Sequence, residues 1–134
     1  MGRREVVTVF LRHGGKILLL RRSARVGTYR GKWAGVSGYL EGEPLAQAWA
    51  ELREETGLGP GDLDSLREGP PLDVDDARAR LAWRVHPFLA EVKDPARIRL
   101  DWEHAEMRWV SPGEMPSLGT VPGLEEALRR VIGP

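Results

Sequence analysis

Ala50-Glu51-Leu52-Arg53-Glu54-Glu55-Thr56-Gly57-Leu58 is the stretch on which the reading of this chain turns. Wound as a helix at roughly 100° per residue, it sets Glu51, Glu54 and Glu55 on one stripe about 100° wide. Leu45, Ala48, Trp49, Leu52 and the methyl of Thr56 fall on the adjoining stripe. One face is therefore expected to enter a core while its neighbour carries three negative charges. Like charges three and four residues apart cost about 0.2–0.5 kcal/mol per pair in a helix. A hard divalent cation held through carboxylate oxygens would offset that repulsion, and Mg²⁺ or Mn²⁺ suits such donors.

Working outward, the helix is expected from about Glu43 to Thr56, with Pro44 suited to its first turn and Gly57 as its stop. Upstream, Glu5 to Arg12 and Ile17 to Arg22 read as two strands joined by the turn His13-Gly14-Gly15-Lys16. Between hairpin and helix, Val26 to Gly38 mixes four glycines with Tyr29, Arg30, Lys32 and Trp33, the composition of a loop whose backbone can approach a ligand closely. It lacks the phosphate-loop pattern G-x-x-x-x-G-K-[ST]. Downstream, Gly59 to Asp76 is punctuated by proline and glycine and is expected to be mostly loop, with one strand near Leu63–Glu68. Arg80 to Val92 predicts a long strand, and Ile98 to Leu100 and Glu106 to Val110 predict short ones. Ser111-Pro112-Gly113-Glu114 has the chemistry of a helix start. An amphipathic helix from Val121 to Ile132 closes the chain. Strands, helix, strands and helix in this order predict an α+β fold, a mixed sheet flanked by helices, as a single domain over residues 1–134.

Composition narrows the function. Twenty basic and twenty acidic side chains cancel, which argues against a DNA or RNA polymer as partner. Cysteine is absent, so disulfides, a cysteine nucleophile and thiolate zinc sites are excluded. The N-terminus runs straight into a strand pattern without a signal peptide, and no apolar run is long enough to span a membrane. A cytoplasmic protein is the simplest expectation.

From Ser37 to Leu58 the chain resembles the box of the Nudix hydrolases, G-x5-E-x7-R-E-U-x-E-E-x-G-U with U a bulky aliphatic. Glu51, Leu52, Glu54, Glu55, Gly57 and Leu58 match by type and spacing. Arg-Gly-Lys-Trp leading into Val-Ser-Gly, the strand Val85 to Val92, and Glu103-His-Ala-Glu-Met-Arg-Trp-Val-Ser-Pro also look like that family. The resemblance implies a Nudix-like mixed β-sheet sandwiched between helices. It implies hydrolysis of a nucleoside diphosphate linked to another moiety, or of a small nucleotide, by water attacking the diphosphate bridge. It further implies Mg²⁺ or Mn²⁺ on Glu51, Glu54 and Glu55, with the backbone carbonyl of Ser37 or Gly38 as a further ligand. Glu54, Glu55, Glu103 and Glu106 are the candidates for the general base, and the sequence does not choose among them. Arg30 and Lys32 come first among the basic residues expected to touch phosphate. Tyr29, Trp33, Trp83 and Trp102 are candidates to stack on a base, although aromatics on strands more often serve the core. The three histidines stand at no metal-ligand spacing, and His86 is read as structural. A homodimer is expected on family grounds alone.

Two departures stand against the pattern. Gly38 precedes Glu51 by thirteen steps where the family has fifteen. Starting the box at Ser37 puts Glu43 in register as its first Glu but leaves one residue missing before Glu51. Ala50 occupies the place of the family's arginine, which is associated with an ion pair that braces the glutamates. Arg53 lies about 60° round the helix and is a poor substitute. The alternative reading is therefore a non-catalytic, nucleotide-binding or regulatory module on the same fold.

Overall fold

The computed structural model describes residues 2–132. The expected hairpin forms from β1 (Arg4–His13) and β2 (Lys16–Arg22), with His13 opposite Lys16. The glycine-rich stretch yields only β3 (Trp33–Ala34) and β4 (Val36–Tyr39) before α1 (Pro44–Thr56). Then follow β5 (Leu63–Glu68), β6 (Leu72–Asp76), β7 (Leu81–Val92), β8 (His104–Val110) and α2 (Leu124–Ile132). The eight strands form one mixed sheet. β1 lies at its centre, parallel to β7 from Arg4 to Arg12 and antiparallel to β4 from Val6 to Val9.

Alternation along β1 divides the core into two layers. Val7, Val9 and Leu11 point to the face covered by α1, where they pack with Ala48, Leu52, Leu58 and Phe88. Phe10 points the other way and joins Ile17, Leu19, Leu89, Met115 and the α2 residues Leu124, Leu128 and Val131. Side chains of period two feeding opposite faces give each helix its own apolar layer. The sheet is sandwiched as expected.

α1 starts with Pro44 in its first turn and stops at Gly57, whose φ of 75° is left-handed and whose N–H donates to the Arg53 carbonyl. The left-handed stop suits glycine, which has no Cβ to clash there. Thr56 is fully buried, with its hydroxyl donating back to the Leu52 carbonyl and accepting from the Leu58 N–H.

Several boundaries differ from expectation. Residues 72–76, read as loop, form β6, a hairpin partner of β7 with Leu72 opposite Val85 and Asp76 opposite Leu81. Its three aspartates have poor intrinsic strand preference, but Asp73 pairs with Arg84 and Asp75 with Arg3. Residues 98–100 are not a strand. Ile98 follows the 3₁₀ turn Pro95–Arg97 and serves as a buried anchor in the α1 layer. α2 begins at Leu124 instead of Val121, because Gly123 just ahead of it takes a left-handed φ of 78° that an α-helix cannot include. Leu45, placed on the apolar stripe of α1, is 47% exposed at the first turn.

Candidate active site

β4 and α1 meet edge to face, and the glutamate stripe of α1 lies against the backbone of β4. β4 is fixed in register by β1, with Val7 opposite Gly38 and Thr8 opposite Ser37. The hydroxyls of Thr8 and Ser37 are 3.1 Å apart and reinforce that register. Glu51 packs directly over Gly38: a Cβ built on this glycine would lie 2.1 Å from the Glu51 carboxyl carbon. Only glycine leaves room for the carboxylate at that point.

Glu51 is 8% and Glu55 1% exposed, while Glu54 faces solvent. Burial, followed by the charge of Glu54, pushes the Glu51 carboxyl above its ordinary range, with the Gln47 hydrogen bond opposing. Glu55 is pushed up to about 10, first by burial and then by the charges of Glu103, Glu51 and Asp101. Glu103 is half-buried and raised by burial and by Asp101. Each acid is thus made less acidic by the others and by loss of water.

His104, distant in the sequence, completes this group. Its Nε2 lies 2.7 Å from Glu55 Oε1, and both side chains are 1% exposed. Burial lowers the imidazole pKa while raising that of Glu55, so the contact is a hydrogen bond between neutral partners in the protein alone. Among the described residues, Glu55 Oε2 and His104 Nδ1 are the buried side-chain atoms without a hydrogen-bond partner. Unpartnered buried polar atoms are costly and call for an explanation. Donor atoms of Glu55, Glu103 and His104 all lie within 4.8 Å of one another. A divalent cation fits this arrangement: it would take the free Glu55 oxygen, offset the mutual repulsion of the acids and restore their ionised forms.

Glu51, Glu54 and Glu103 help line a cleft of about 410 Å³, the size of an ordinary small-ligand site. Tyr29, Tyr39, Trp83 and Val85 line it too. Tyr39 is 54% exposed, with its ring 6.2 Å from that of Trp83, and Arg4 stacks against Trp83 at 5.8 Å. Trp83 Nε1 faces the Tyr29 hydroxyl, which donates to Asp76 at 2.8 Å.

The expected residues divide. Glu51, Glu54, Glu55, Glu103, Ser37 and Gly38 come together. Glu106 sits apart on β8, paired with Arg21 at 2.9 Å. Arg30 and Lys32 are exposed outside the cleft lining, and Arg30 donates to the Val26 carbonyl. Arg22 is the cation on the cleft wall, its guanidinium anchored to Thr28. Of the four aromatics, Tyr29 and Trp83 line the cleft. Trp33 packs on the α2 layer, and Trp102 stacks with Arg25 at the surface. Gln47, Tyr39 and His104 were not expected at the site. Gln47 could have been found, since it stands one helical turn before Glu51, whereas nothing local marks His104.

No curated protein matches the sequence. The NUDIX domain family model matches residues 1–131. Among solved structures, the chain is similar to a MutT NUDIX hydrolase from Burkholderia pseudomallei, at 22% identity and TM-score 0.78 over 97% of this chain and 98% of that one. It is similar to the MutT protein from Methanosarcina mazei Go1, at 25% identity and TM-score 0.74 over 96% and 91%. It also resembles the NUDIX domain of Shewanella oneidensis NrtR complexed with ADP ribose, at 16% identity and TM-score 0.73 over 96% and 88%. With the family model spanning nearly its whole length, the chain belongs to the NUDIX domain family.

Proposed function

We propose that the protein is a divalent-metal-dependent pyrophosphohydrolase of a nucleoside diphosphate linked to another moiety, or of a small nucleotide. The observation that carries this reading is a cleft lined by both the α1 carboxylates and a group of aromatic rings. Glu51, Glu54 and Glu55 would hold Mg²⁺ or Mn²⁺, with the carbonyl of Ser37 or Gly38 as a further oxygen. A cation held there would supply screening of the diphosphate charge and a more acidic water. Arg22 faces the cleft as a phosphate partner, a fixed fork suited to paired oxygens. Tyr39 and Trp83 offer the base a stacking surface. Glu103 is the general base of choice: it lines the cleft, and its raised pKa makes it a stronger base than a solvated carboxylate. Glu106 is less suited because it is committed to Arg21. A cytoplasmic location agrees with this role, and among the described residues no helix is long and apolar enough to cross a membrane.

The rival reading, a nucleotide-binding module without turnover, is favoured by Ala50 and the shortened joint. Incubation with Mg²⁺ or Mn²⁺ and a panel of ADP-ribose, NADH, dinucleoside polyphosphates and nucleoside triphosphates separates the two. Cleavage of one compound, reduced at least about 100-fold in Glu54→Gln and Glu55→Gln, is expected. Nucleotide binding without cleavage across the panel would establish the rival.

A further inference from the structure

We propose that Gln47 is the positioning residue of the glutamate face, supplying through a neutral amide the brace that an arginine at position 50 would otherwise supply. The inference rests on the metal-binding role proposed for Glu51. Gln47 lies four residues before Glu51 on α1, about 40° round the helix, so the two side chains run side by side. Its Nε2 donates to Glu51 Oε2 at 3.1 Å. Its Oε1 accepts the Glu41 backbone N–H, also at 3.1 Å. One amide therefore ties the shortened loop ahead of the helix to the buried carboxylate.

The direction of the amide is fixed by its two partners. A backbone N–H can only donate, so the Gln47 oxygen must face Glu41 and the nitrogen must face Glu51. On the opposite side, Gly38 leaves the carboxylate no slack. Glu51 is held between the amide and β4, while its other oxygen stays clear of Gln47. Ala50 and Arg53 are both solvent-exposed, and Ala50 carries no donor. The Glu41 N–H that the amide takes up lies in the shortened joint itself, so the brace and the departure from the pattern meet at one place. An amide also leaves the full charge of Glu51 for a cation, where a guanidinium would offset part of it.

The test is Mn²⁺ affinity, read from the electron paramagnetic resonance of the free ion, on the full chain and on Gln47→Met, Glu51→Gln and the double variant. Methionine keeps the length and helix preference of glutamine and removes both hydrogen bonds. Gln47→Met is expected to weaken Mn²⁺ binding about tenfold, as loss of an outer partner of a ligand does, with the thermal midpoint little changed. In the Glu51→Gln background the same change should weaken binding less than about twofold, because Gln47 acts through Glu51. Equal losses in both backgrounds, or wild-type affinity in Gln47→Met and in Gln47→Ala, would overturn the proposal. If Mn²⁺ binding is indifferent to Glu51→Gln and Glu55→Gln, the metal-binding reading itself fails, which the same titrations distinguish.

Discussion

Alanine at position 38 would place a methyl carbon 2.1 Å from Cδ of Glu51 and 2.2 and 2.6 Å from its two oxygens. Ordinary contact begins near 3.4 Å, so the carboxylate must retreat by more than about 1 Å. It cannot simply swing outward. Glu51 is 8% exposed and is held on its other side by Gln47. Gly38 is not among the residues with positive φ, so the methyl group adds no backbone strain and the fold should survive. Displacement of a reacting or ligating group by about 1 Å costs on the order of 100-fold in rate, equivalent to about 2.7 kcal/mol of transition-state stabilisation. Gly38→Ala is expected to lower kcat/KM for the substrate by about that factor, with the thermal midpoint within a few degrees of wild type. Gly42→Ala is the control, since a Cβ there meets nothing within 4 Å. Steady-state kinetics with Mg²⁺ beside a thermal melt would decide the matter. A folded Gly38→Ala protein with wild-type kcat/KM would refute the packing argument and detach Glu51 from the chemistry.

Two further outcomes follow from the same geometry. Glu55 keeps its proton up to about 10 in the metal-free fold, while the unfolded chain releases it near the usual carboxyl range, so the folded state binds more protons between those limits. Metal-free stability should therefore fall as pH rises from about 7 to 9, by at most about 1.4 kcal/mol per unit for one proton. The opposing effect of His104, whose pKa is lowered, acts only below about pH 6.5. Saturating Mn²⁺ should flatten or reverse the slope, and a flat metal-free profile in urea melts across that window would contradict the neutral Glu55–His104 pair. Leu52→Ala, at a fully buried position between α1 and the sheet, should cost about 3 kcal/mol in urea unfolding. Leu45→Ala, 47% exposed on the same helix, should stay within about 0.5 kcal/mol, and equal losses would show that α1 is packed otherwise.

The helix and its acidic face were legible because both are local: periodicity of 3.6 and the Pro44 and Gly57 boundaries lie within fifteen residues. The central hairpin and the long β7 were legible for the same reason. β6 was hidden because its stability comes from pairing with β7 and from Arg3 and Arg84 across the sheet, which outweigh the poor strand preference of aspartate. At the site, the glutamates announced themselves by spacing. His104 did not, because it meets Glu55 only through the register of β8 on β2 and carries no pattern of its own. Arg22 stands among other basic residues, Arg21, Arg25, Arg30 and Lys32, at the end of β2 and in the stretch leading to β3, and only the fold selects which of them faces the cleft. The hydrogen-bonding reach of Gln47 depended on the path of the loop at Glu41, which residue types do not encode.

The contact between Glu55 and His104 spans 49 residues, and that between Thr8 and Ser37 spans 29. A peptide carrying residues 37–58 would hold every box glutamate and Gln47, but neither His104 nor the β1 strand that fixes β4 against α1. Such a fragment would be a flexible polyanion, gathering Mn²⁺ loosely and without geometry. The proposed binding face comes into being only when β4 has paired with β1 and β8 with β2, so its assembly reports long-range sheet pairing instead of helix formation.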